Sequence, residues 1–322
     1  MQPMSAEPDT DPEVIEPHAV VAAEPAVDPL AGILDVRTFH GLNSDGVADL
    51  LIEVPHGATT TADFESHAVM LTSPLPASLI DFFYVNTDTG APELAEVLAE
   101  RLVAADPQRT VTVLRCRIPR TFIDCNRVLD ASAADYKAGG VAPGLMPYIT
   151  TPEDIALLRE RYELYLGAVR KAVEALPPHG AMLLLHSYAP RTVGVEVDAN
   201  IVRSLHAAYA PEVVGTWPAR PEMDVIGRGP DGTLHAPTAV VDALRADLAA
   251  SGMTLGDSHT YKLHSSTLGW EHALRLPGRS LCLEIRRDLF VVHFEPFVEA
   301  RIDPTLTAAL AEPIVRALLH LW

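Results

Sequence analysis

The sequence predicts an α/β fold, a three-layer sandwich built on a central mixed, largely parallel sheet. Three observations lead there. Several short runs are apolar throughout instead of alternating, which is how strands read when both faces of their sheet are covered. Segments with helix-start signals lie between them, and the two kinds alternate along the chain as crossover connections require.

Leu50 to Val54 (LLIEV) is the first such run, and Pro55-His56-Gly57 ends it in a tight turn. Leu79 to Val85 (LIDFFYV) reads as the next strand and delivers Asn86-Thr87-Asp88-Thr89-Gly90 to a loop. A helix follows from Pro92 through Leu102, with Pro in its first turn. Thr110 to Leu114 (TVTVL) is β-branched and strand-like. Thr151-Pro152-Glu153-Asp154 opens a further helix, with Thr at the cap, Pro at the first position and acids in the first turn. Pro177-Pro178 stops it near Leu176. Ala181 to Leu185 (AMLLL) delivers His186-Ser187-Tyr188, and Ser280 to Ile285 (SLCLEI) carries Glu284 inward. Residues 1 to about 30, rich in Pro, Ala and acid, read as a disordered tail, and residues 31–322 as a single α/β domain. The Pro-rich stretch between 205 and 240 is a surface excursion rather than a boundary.

Composition excludes several functions. The chain has 24 Lys plus Arg against 43 Asp plus Glu, a formal net charge of −19, so a phosphate backbone is not its partner. No apolar run approaches the roughly 18 residues of a spanning helix. The start of the chain carries Glu7, Asp9, Asp11, Glu13 and Glu16 and no Lys or Arg before Arg37, unlike a secretory signal. Cys116, Cys125 and Cys282 are too few and too unevenly spaced for a disulfide framework or a Cys-ligated zinc site, which makes a reducing cytoplasm the expected setting, and Cys125 and Cys282 read as packing residues. The use of 21 Arg against 3 Lys fits a high-GC bacterial genome.

The chemistry-bearing residues stand at strand ends. His56 follows LLIEVP, His186 follows AMLLL, Glu284 lies within SLCLEI, and Asp88 sits in a loop after LIDFFYV. A polar group at the end of a core strand is costly unless paired, and any one of these could simply bind nearby backbone. Together they point to a metal site, because two imidazoles and a carboxylate leave zinc an open position for water. A further carboxylate that does not bind the metal can take that water's proton, and Glu284 fits this role. Arg120 and Arg127 flank Asp124 in RTFIDCNR; either could polarise a carbonyl or bind a carboxylate, or form an ion pair with Asp124.

Seven blocks resemble the N-formylglutamate amidohydrolase family, in the family's order: Pro55-His56-Gly57-Ala58, Asn86-Thr87-Asp88-Thr89-Gly90-Ala91, Ile123-Asp124-Cys125-Asn126-Arg127, Leu185-His186-Ser187-Tyr188, Gly256-Asp257, Glu271-His272-Ala273 and Leu283-Glu284-Ile285-Arg286-Arg287-Asp288-Leu289. They span roughly residues 50 to 290, and a more distant similarity to zinc carboxypeptidases points the same way. The resemblance implies a phosphorylase/hydrolase-like sandwich holding one zinc per chain, with His56 and His186 as ligands. Carboxypeptidases place a Glu three residues after the first His, where this chain has Thr59, so Asp88 is taken as the third ligand ahead of Asp63 and Glu65. Asn126, Arg127 and Ser187 become substrate-binding residues, Glu284 the general base, Arg120 or Arg127 the carbonyl-polarising group, and His272 a catalytic or supporting histidine. The implied activity is hydrolysis of an N-formyl, N-acyl or peptide-like amide whose substrate bears a carboxylate. A carboxypeptidase or peptide-tailoring hydrolase, and an inactive zinc- or ligand-binding homologue, are the alternatives.

Overall fold

The computed structural model describes residues 30–322. The acidic tail read over residues 1 to about 30 falls, Leu30 apart, outside them. Seven strands make the sheet among the described residues: β1 (Leu34–His40), β2 (Leu50–Val54), β3 (Thr110–Cys116), β4 (Ala181–Tyr188), β5 (Met223–Val225), β6 (Leu255–Asp257) and β7 (Ser280–Arg286). Their order is β1-β3-β2-β4-β7-β5-β6. The central four, β3, β2, β4 and β7, run parallel to one another. β1 is antiparallel to β3, and β5 to β7. The sheet is thus mixed and largely parallel, as the apolar runs require.

Alternation along each strand divides the core between two faces. Leu50, Ile52 and Val54 of β2 pack with Leu183 and Leu185 of β4 against the helices Ala91–Ala105, Thr238–Ala250 and Pro304–Leu318. Leu51, Met182 and Leu184 face the other side, beneath the Pro152–Glu174 helix and the shorter helices Thr61–Ala68 and Leu79–Asn86. Each such side chain taken fully out of water contributes roughly 1.5–3 kcal/mol, which is why both faces must be covered. All five residues of β2 are buried, so it reads as a continuous apolar run with one exception, Glu53.

Two readings are corrected: the stretch between 205 and 240, expected as a surface excursion, carries β5, whose three residues are buried in the sheet beside β7, and the strand expected over Leu79 to Val85 is not one. Leu79–Asn86 is a helix, not a strand. Its aromatic, apolar sequence suits either form, but Leu79, Phe82 and Phe83 recur at helical spacing and all three are buried. The helix still delivers Asp88 to the strand ends, because its last turn runs directly into the Thr87–Gly90 loop. No helix among the described residues is long and apolar enough to cross a membrane.

Candidate metal centre

Parallel strands open at their carboxyl ends wherever successive connections leave in opposite directions, and β2 is such a place, with β3 on one side and β4 on the other. His56 lies two residues past β2, and His186 lies near the carboxyl end of β4. The Asp88 loop is fastened between them. Asp88 donates its N–H to the His56 carbonyl at 3.4 Å, Thr87 Oγ1 donates to the Ala58 carbonyl, and Ser187 Oγ donates to the Thr89 carbonyl at 2.8 Å. Gly90 then turns the chain into the Ala91–Ala105 helix at φ +85°, where an added Cβ would stand 2.3 Å from the Phe290 ring.

These folds bring His56, Asp88 and His186 into one buried group whose donor atoms lie within 4.8 Å of one another. His56 Nδ1 is 3.1 Å and His186 Nδ1 2.9 Å from the same Asp88 oxygen, Oδ2. The other nitrogen of His56, Nε2, lies 2.7 Å from Asp124 Oδ1. An ionised carboxylate only accepts, so both ring nitrogens of His56 face acceptors, Nε2 toward Asp124 and Nδ1 toward Asp88, and a metal ion between Nδ1 and Asp88 would take the place of the Nδ1 hydrogen while Nε2–H stays on Asp124. A carboxylate behind a histidine in this way fixes ring and tautomer for metal ligation. The donor set, two imidazoles and a carboxylate taken from water, therefore fits a divalent ion such as zinc. Among the other candidates for third ligand, Asp63 is occupied in the capping box that it forms with Thr60 at the start of the Thr61–Ala68 helix and as the partner of Arg117, and Glu65 is exposed.

Three arginines face the two aspartates around the group, and Arg120 reaches both, its Nη1 standing 3.7 Å from Asp88 Oδ1. Arg120 Nη2 is 2.9 Å from Asp124 Oδ2 and Arg127 Nη2 3.5 Å from the same oxygen, while Arg287 Nη2 approaches Asp88 Oδ1 at 3.8 Å. Burial alone would raise Asp124, but Arg127, His56 and Arg120 more than offset it and hold the carboxylate well below its ordinary range. Arg127 is further engaged, donating to the carbonyls of Ala142 and Asn126. Arg120 Nε and Arg287 Nε, both shielded from water, have no partner.

Glu284 stands opposite His186 in the parallel register of β4 with β7. Burial raises its carboxyl above the ordinary range, Asp88 adds to the rise, and His186 opposes it. Its Oε2 is shielded yet has no hydrogen-bond partner. Both residues line a cavity of about 240 Å³ that also takes in Arg120, Asn126, Arg127 and Ser187. Of the residues expected at the site, His272 is not among them. It lies on the Leu268–Arg275 helix with Nε2 3.2 Å from Glu53 Oε2, and Glu53 Oε1 accepts from Tyr165 at 2.5 Å, so it belongs to a buried cluster below the cavity. Ser187 uses its hydroxyl to hold the Asp88 loop. Sequence reasoning treated Asp124 only as an ion-pair partner and passed over Arg287, although both stand inside the blocks IDCNR and EIRRDL.

The profile of the N-formylglutamate amidohydrolase family matches residues 48–291. No curated protein matches the chain significantly. An N-formylglutamate amidohydrolase from Ralstonia eutropha JMP134 shares the fold at TM-score 0.57 with 20% identity, over 90% of this chain and 98% of that one. A gene product of Agrobacterium tumefaciens does so at TM-score 0.50 with 17% identity, over 90% of this chain and 97% of that one.

Proposed function

Because the chain belongs to the N-formylglutamate amidohydrolase family, and so is a hydrolase of amide bonds, we propose that it cleaves an N-formylated or N-acylated amino acid with a zinc ion held by His56, Asp88 and His186. The observation that carries the reading is the pairing of His56 Nε2 with Asp124, which turns Nδ1 toward the Asp88 and His186 donors. When bound, the ion supplies a Lewis acid that polarises a carbonyl and makes water more acidic.

The chain's own residues supply the rest. Glu284 takes one proton from the attacking water at the unpartnered Oε2 and returns it to the leaving nitrogen as the C–N bond breaks, giving a carboxylic acid and an amine, and the acid's remaining proton passes to the amine to leave a carboxylate and an ammonium. A raised pKa suits both halves of that exchange. Arg120 offers its free Nε–H to the oxygen on which charge develops. Asp124, held by Arg120 and Arg127, keeps His56 in place. The test is activity on N-formyl and N-acetyl amino acids before and after chelation. The reading expects loss on chelation and recovery at about one equivalent of zinc; undiminished turnover in the chelated protein would refute it.

A further inference from the structure

Resting on the proposed amide hydrolysis, the question is which residue holds the far end of the substrate. Five arginines line the cavity, and three of them are paired with the aspartates of the site. Arg120 and Arg127 pair with Asp124, Arg287 lies against Asp88 and donates to the carbonyls of Val85 and Ser187, and Arg191 donates to the carbonyls of Gly215 and Trp217. Arg191 and Arg220 differ from the other three: among the described residues, no carboxylate lies within ion-pair distance of either, and of the two it is Arg220 that stacks on the aromatic rings Tyr188 and Tyr261. The acids nearest in sequence or strand register, Glu222 and Asp288, are both taken by Arg286 at 3.2 and 2.8 Å.

Arg220 is nonetheless held in place. Its N–H bonds the Pro190 carbonyl at 3.0 Å and Thr192 N–H bonds the Pro218 carbonyl at 2.9 Å, clipping two segments together at the cavity. The guanidinium carbon stands 4.9 Å from the Tyr188 ring centre and 5.4 Å from that of Tyr261, Nη2 donates to Tyr261 Oη at 3.1 Å, and Nε to Thr192 Oγ1 at 3.1 Å. A cation fixed in a cavity, stacked on aromatic faces and left without an anion is arranged for an anionic ligand. Lys262, exposed beside Tyr261 at the same rim, is likewise without a partner among the described residues. From the same clip, residues 192–197 lie outside any helix or strand and alternate in exposure: Val193, Val195 and Val197 line the cavity while Thr192, Gly194, Glu196 and Asp198 are exposed.

We propose that Arg220 binds the substrate's α-carboxylate, and that the row Val193, Val195 and Val197 receives an apolar side chain, so that the substrate class is the N-acylated apolar amino acid. The carboxylate then sits on a cavity arginine that has no carboxylate partner and is held against two aromatic rings, and Arg127 serves to position Asp124.

The test is binding measured by calorimetry in the Glu284→Gln background, where turnover does not interfere, with N-acetyl-L-leucine, N-acetyl-L-leucinamide and N-acetyl-L-glutamate as probes. The proposal expects the leucine acid to bind tighter than its amide, Arg220→Gln to weaken the acid by roughly 10- to 100-fold and leave the amide unchanged, and Arg220→Lys to recover part of the loss. Equal binding of the acid in Arg220→Gln, or no preference for acid over amide in the parent, overturns the assignment. Tighter binding of the glutamate probe overturns the apolar class. In protein with Glu284 intact, binding of the leucine acid without hydrolysis of any N-acyl amino acid would sink the proposed reaction and leave the Arg220 site standing.

Discussion

His186 and Glu284 occupy paired positions on adjacent parallel strands, so one buried imidazole and one half-buried carboxylate project from the same face at the same level of the sheet. The first faces Asp88 and the second keeps an oxygen without a partner. Replacing Glu284 with Gln preserves shape and removes the base. Turnover should fall roughly 10²- to 10⁴-fold while metal content stays at the parental level, as steady-state rates and elemental analysis of the same preparation would show.

Asp124 stands behind His56, one of the proposed ligands. Asp124→Asn removes the charge behind His56 Nε2 and should weaken metal binding by roughly 10- to 100-fold, read by competition with a chromophoric chelator. Unchanged affinity would mean that His56 does not depend on Asp124 for its orientation.

Much of this was legible in advance. β2, β4 and β7 are apolar on both faces because helices cover both, and that signal survives in sequence. His56, His186 and Glu284 were visible because a polar residue at the end of such a run has few other reasons to be there. β1 was hidden by its edge position, which leaves polar residues such as Arg37 and Thr38 outward, and β5 and β6 by their length of three residues each. The Leu79–Asn86 helix was misread because its β-prone aromatics are used at helical spacing. Asp124 and Arg220 were out of reach for another reason: their meaning lies in which charges are already paired, and pairing is a property of the folded chain.

Gly90 ties the fold to the site. Its φ is positive, and a Cβ added there would meet the Phe290 ring at 2.3 Å, so Gly90→Ala is both strained and overpacked. We expect a loss of roughly 2–4 kcal/mol in denaturant unfolding, together with weaker metal retention because Asp88 is two residues away.

His67 gives the fold an acid limit. Burial, and next the Arg161 guanidinium beside Nε2 at 3.1 Å, push its pKa down to about 4, while Nδ1 lies 3.0 Å from the Asp63 carbonyl. The unfolded chain takes up this proton near the ordinary value of 6.5, before the folded chain does. Stability from the neutral ring is therefore complete above about 6.5 and lost as the pH falls through about 4, on the order of 3 kcal/mol in all. The difference in unfolding free energy between the parent and His67→Gln, followed from pH 7 to 4, should shrink across that window; a constant difference would contradict it.

The central claim is that His56, Asp88 and His186 together hold one metal ion, and elemental analysis of untagged protein tests it most directly. Parent protein should contain about one zinc per chain, and His56→Ala, Asp88→Ala and His186→Ala should each lose it while remaining folded by circular dichroism. Zinc retained in Asp88→Ala, or no zinc bound by the parent after reconstitution, would contradict the account.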